Sequence, residues 1–121
     1  MEHLIFSTDI NTSGTYLRDY LVTRYSFRET VARLYELVPY DIFENSDKKK
    51  RSFKITGMFQ GQIFTLYDYK CDREIHIGGH DKLNVEALND KLLALLKTCK
   101  PKDFVAKYYY RNYKDITYSY P

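Results

Sequence analysis

The chain has 121 residues, 44% hydrophobic, 29% charged and 17% aromatic, with a formal net charge of +3. That length is one domain's worth, residues 1–121, and suffices for a core without disulfide or metal staples. No apolar run approaches the roughly 20 residues of a spanning helix, and Cys71 and Cys99 alone make no disulfide framework.

MEHLIF has no signal-peptide character and reads as a short strand, and DINTSGT after it as a loop. In YLRDYLV, Tyr16, Leu17, Tyr20 and Leu21 stand at helical spacing, with a strand as the lesser alternative. SFRETVARLYELVP is a stronger signal. Ser26 and Glu29 have capping-box spacing, Phe27, Val31, Leu34 and Val38 form one apolar stripe, and Pro39 ends it, so a helix is predicted over 27–38.

ENSDKKKR is a charged connector. Beyond it, SFKITGMFQGQIFTLYDYK, CDR and EIHI predict three antiparallel strands, with Gly57 and Gly61 bracketing the first turn and CDR making the second. GGHDKLN breaks the sheet. Val85, Leu88, Leu92, Leu95 and Leu96 then mark a second helix, capped by Asn84 and stopped by Pro101. Phe104, Ala106, Tyr108 and Tyr110, then Ile116, Tyr118 and Tyr120, return to period two and predict a terminal hairpin. The expected fold is α+β: two main helices on one face of a mainly antiparallel sheet of about five strands.

Charge and aromatic rings are segregated. Ser46 to Lys54 carries a net +4, Lys100 to Pro121 a net +3, and the remainder a net −4. Six of the thirteen tyrosines fall in the last sixteen residues, interleaved with Lys107, Arg111 and Lys114. Rings on one face of a strand with cations beside them suit base stacking and phosphate contact. They suit a solvated edge or a dimer contact as well.

Other constellations are weaker. His76 and His80 flank Gly78-Gly79 and could act as an acid–base pair on a phosphate, though His76 also reads as a solvated sheet histidine. Cys71, His76, His80 and Cys99 lack the paired knuckles of a zinc site, so no metal and no cofactor is expected. The glycine pair matches no phosphate-loop pattern and reads as a turn. Asp68, Asp72 and Glu74 read as turn chemistry and cross-strand charge pairing.

The stretch GMFQGQIFTLYDYKCDREIHIGGHDKLNVEALNDKL, through Phe64 to Lys70 and Ile75 to Gly79, resembles small uncharacterised proteins of the large DNA viruses of amoebae, of the mimivirus and marseillevirus kind. The resemblance implies a viral protein of the host cytoplasm (a virus factory), the nucleus or the virion, not a secreted one, and it carries over no site residues.

Together these features predict a non-catalytic nucleic-acid-binding protein, for DNA rather than RNA, with mostly backbone contacts, weak sequence specificity and no membrane partner. Lys48, Lys49, Lys50 and Arg51 are expected to form one patch, and Lys107, Tyr109, Arg111, Tyr113 and Lys114 a second. The rivals are a structural protein or homodimer using the tyrosine-rich hairpin, and a small nuclease or nucleotide-processing enzyme using His76 and His80.

Overall fold

The computed structural model describes residues 3–44, 50–70 and 72–101. In chain order it contains β1 (Leu4–Phe6), β2 (Tyr16–Leu21), α1 (Phe27–Leu37), β3 (Lys54–Phe59), β4 (Gln62–Tyr67), β5 (Ile75–Gly79) and α2 (Val85–Leu96). The strands form one antiparallel sheet in the order β1-β3-β4-β5-β2. The fold is therefore α+β, as the patterning predicts. Its five described strands are not the expected five, however. The two N-terminal segments supply the edges, and the terminal hairpin lies outside the described residues, as do Lys48, Lys49 and Cys71.

Pairing sorts the strands by parity. Ile55, Phe59, Phe64, Leu66, Ile75, Ile77 and Leu21 face inward and are buried. Val31, Leu34 and Val38 of the α1 stripe join them in one core with Leu88, Leu92 and Leu96 of α2. Both described helices thus cover the inner face, and among the described residues no helix lies on the outer face. No described helix is long and apolar enough to cross a membrane.

Helix ends follow the sequence closely. Ser26 Oγ accepts the Glu29 amide at 3.1 Å, while the Glu29 carboxylate takes Arg33 Nε at 2.9 Å. At the far end Val38 leaves the helix in an extended conformation just before Pro39. In α2, Asn84 Oδ1 accepts the Ala87 amide at 3.1 Å. Arg33 ties the helices together: its Nη1 donates to the carbonyls of Leu96 and Cys99, each at 2.8 Å, satisfying orphan groups at the α2 C-terminus. The same guanidinium lies 3.9 Å from the Tyr25 ring centroid.

Two expectations are corrected. YLRDYLV is a strand, paired antiparallel with β5; a register shift between Leu17 and Asp19 sends Tyr16 and Tyr20, and likewise Leu17 and Leu21, to opposite faces, so their helical spacing reflects no shared face. Gly57 lies within β3 and brackets no turn: a Cβ there would meet Ile5 O at 2.3 Å and the Phe64 ring at 2.7 Å. The turn is Gln60-Gly61, with φ of 52° and 77°, the two-residue hairpin geometry that favours glycine.

β1 is too short to cover all of β3. Where it ends, the Tyr40 hydroxyl takes over, accepting the Thr56 amide and donating to the Thr56 carbonyl, both at 2.9 Å.

Candidate functional site

The outer face is built of cross-strand rows. Ile5, Met58 and Ile63 form an apolar row; Thr56, Thr65, Gly78 and Leu17 form the next. The third row, Lys54, Tyr67, His76 and Tyr20, runs across four strands and holds the rings and the cation.

In that row the His76 ring stands between two tyrosines. Its centroid is 4.9 Å from Tyr20, edge to face, and 5.0 Å from Tyr67. His76 is only 8% exposed, which corrects the reading of a solvated sheet histidine: the flanking rings shield it. Its Nε2 meets Asp72 Oδ2 at 2.5 Å. Tyr20 remains 38% exposed and presents the most open ring of the row.

At the other end, Arg51 lies over Tyr67, with its guanidinium carbon 4.8 Å from the ring centroid. Its Nε is buried and donates to no protein acceptor. Lys54 stands beside it. Burial, and next the positive charge of Arg51, hold the Lys54 ammonium below its ordinary pKa. Among the described residues neither cation makes an ion pair with a carboxylate. Tyr67 is pushed up by burial, with Arg51 opposing the shift.

Asp68 holds this corner in place. Fully buried, it accepts the Ser52 amide at 2.7 Å and the Ser52 hydroxyl at 2.6 Å. Just beyond, the Lys70 amide donates to the Lys50 carbonyl at 2.6 Å. Residues 50–53 are thereby fastened to the end of β4, bringing Arg51 over Tyr67, while the Lys70 ammonium lies 5.3 Å from the Tyr69 ring centroid. The expectation that Asp68 serves turn chemistry is corrected: it is an internal clamp, and its proximity to Ser52 has no sequence signal across sixteen residues. Asp72 does serve the turn, accepting the Glu74 amide at 3.1 Å.

Other sequence candidates disperse. With β5 extended, His76 and His80 are roughly 13 Å apart, four residues at about 3.3 Å each, too far for two imidazoles to share one phosphate. Cys99 lies at the end of α2, beneath the inner face, away from His76 on the outer face. Gly78 and Gly79 are strand residues rather than a turn or a phosphate loop: a Cβ on Gly78 would meet Thr65 Oγ1 at 2.4 Å, and one on Gly79 would meet Leu83 Cδ2 at 2.5 Å. Asp72, Glu74 and His76 bring ligand-type atoms within 4.8 Å of one another. The His76 and Glu74 hydrogen bonds already occupy the Asp72 carboxylate, and these bonds account for the grouping.

Of the predicted contacts, Lys50 and Arg51 lie at the row's cationic end. Lys48, Lys49, Lys107, Tyr109, Arg111, Tyr113 and Lys114 lie outside the described residues. Tyr20 and Tyr67 are additional, and only their outward parity in the strands could have singled them out; Lys54 is the last cation of the basic segment from Ser46 to Lys54. Comparison with known protein families, curated proteins and solved structures finds no match to this chain.

Proposed function

We propose that the protein binds nucleic acid through the outer face of its sheet and catalyses no reaction there. The observation that carries this reading is the corner where Arg51 and Lys54 stand together beside the Tyr67 ring, without an ion-paired carboxylate among the described residues. Two adjacent cations repel each other, and an Arg Nε buried without an acceptor is costly. A phosphate supplies both the counter-charge and the acceptor.

Neither helix competes for the role. In α1, Arg28 and Arg33 are balanced by Glu29 and Glu36, and in α2 the single Lys91 is outnumbered by Glu86 and Asp90. DNA is the first polymer to test, since the resemblance to proteins of amoebal DNA viruses would place the chain where DNA is abundant. Lys48 and Lys49 would extend the phosphate contacts, and the tail's Lys107, Tyr109, Arg111, Tyr113 and Lys114 belong to the proposal on sequence grounds alone.

Fluorescence anisotropy of labelled DNA, titrated with the full chain at 50 and at about 200 mM salt, is the test. Binding at the lower salt that weakens steeply at the higher one is expected. Absence of binding at the lower salt overturns the proposal.

A further inference from the structure

We infer that the ligand is a single strand laid across the sheet, perpendicular to its strands, rather than a duplex; this inference rests on the nucleic-acid reading above. Tyr20 and Tyr67 belong to the same row, with the strand of His76 between them. At strand spacings of about 4.8 Å their backbones are roughly 10 Å apart. The Tyr67 ring already carries the Arg51 guanidinium, so a base falls on the open Tyr20 ring and the phosphates on the Arg51–Lys54 corner across the row. Only an unpaired strand can splay in this way and turn its base faces outward.

His76 contributes as a positioning residue. Edge-on to Tyr20 at 4.9 Å and tilted against Tyr67 at 5.0 Å, it fills the gap into which either ring would otherwise fall. Asp72 in turn holds the imidazole through Nε2. The row therefore reads, from edge to centre, as open ring, prop, second ring and a pair of cations. That sequence matches a base on Tyr20, a spacer at His76, and phosphate at the Arg51-covered Tyr67 along an extended strand.

The face is ill suited to a duplex. Reading a duplex groove takes a helix or a narrow two-stranded ribbon. Here the helices cover the inner face, and the outer face is a five-stranded sheet whose row runs across β3, β4, β5 and β2. Duplex phosphates could touch Arg51 and Lys54, but the tyrosine rings would gain nothing from paired bases.

The test compares a labelled oligothymidine of about 12 nucleotides with a duplex of the same length, using the full chain in low salt. The expected result is single-strand binding at least tenfold tighter than duplex binding. Tyr20→Ala should weaken it by about tenfold, the scale of one lost base stack. The thermal unfolding midpoint of Tyr20→Ala, set beside the parent's, guards against a folding defect. Equal or tighter duplex binding overturns the single-strand inference and leaves the nucleic-acid reading standing. Failure of both oligonucleotides to bind overturns that reading itself. Single-strand preference that survives Tyr20→Ala undiminished overturns the stacking geometry.

Discussion

Asp68 grips Ser52 with both carboxylate oxygens, one on the main-chain amide and one on the hydroxyl. The aspartate sits at the end of β4, and the serine follows the charged connector. This pair decides where Arg51 lies, because Arg51 is the residue immediately before Ser52.

Burial raises the Asp68 carboxyl above its usual 3.8, and the hydrogen bonds from Ser52 only partly oppose the shift. A folded-state pKa above the unfolded one means the native protein binds that proton more tightly. The contribution of Asp68 to stability is therefore greatest below pH 3.8 and declines as pH rises through the folded value. Asp68→Asn keeps one acceptor and removes the charge. In urea unfolding at a series of pH values, the parent should lose stability relative to this variant as pH rises above 3.8. A constant difference across that range would refute the assignment.

Gly78 is closed to any side chain by Thr65 Oγ1, 2.4 Å from where its Cβ would stand. Gly78→Ala should destabilise by about 1–3 kcal/mol, the usual cost of overpacking. Since the obstacle is one hydroxyl, Thr65→Ala in the same chain should recover part of the loss. A double-mutant cycle by thermal or urea unfolding reads the coupling, and strict additivity would show that the two sites do not touch.

Arg33 closes the α2 C-terminus with two hydrogen bonds and covers Tyr25 with its guanidinium. Arg33→Ala should cost about 2–3 kcal/mol, given the strength of charge-assisted bonds. Arg33→Lys should restore little, because an ammonium lacks the planar fork. Cys99 is a built-in reporter: burial holds its thiol above the ordinary pKa, and release of the last turn should speed its reaction with a thiol reagent. An unchanged labelling rate in Arg33→Ala would show that the clamp does not govern that end.

Arg51→Ala and Lys54→Ala remove one phosphate partner each. Each should lower the slope of log affinity against log salt by about one while leaving base preference alone. Anisotropy titrations across a salt series provide the measurement; an unaltered slope in both variants would place the phosphates elsewhere.

Much of the fold can be read from the chain because local signals agree with the packing. Ser26, Pro39 and Asn84 stand at or beside the helix ends where their chemistry places them, and Gly61 turns the β3–β4 hairpin. Tyr16–Leu21 misleads for a definite reason: its spacing of four imitates a helix face, whereas the register shift between Leu17 and Asp19, set by pairing with β5, parts those residues. Glycine pairs suggest turns, yet Gly78 and Gly79 are needed for close approach inside a strand. The site is half legible. Lys50, Arg51 and Lys54 announce themselves as a charge run, whereas Tyr20 and Tyr67 join them only through the strand order β3-β4-β5-β2, which no local pattern encodes.

The phenol of Tyr40 has one more implication. By engaging both main-chain groups of Thr56, it occupies the stretch of β3 that the three-residue β1 leaves uncovered. A bare border there would template another chain and invite cross-β growth. The Ser7 amide on the Thr56 carbonyl and the Ile42 carbonyl on the Lys54 amide share that duty, so resistance to fibre formation along this border rests on one phenolic oxygen and the chain segments on either side of it.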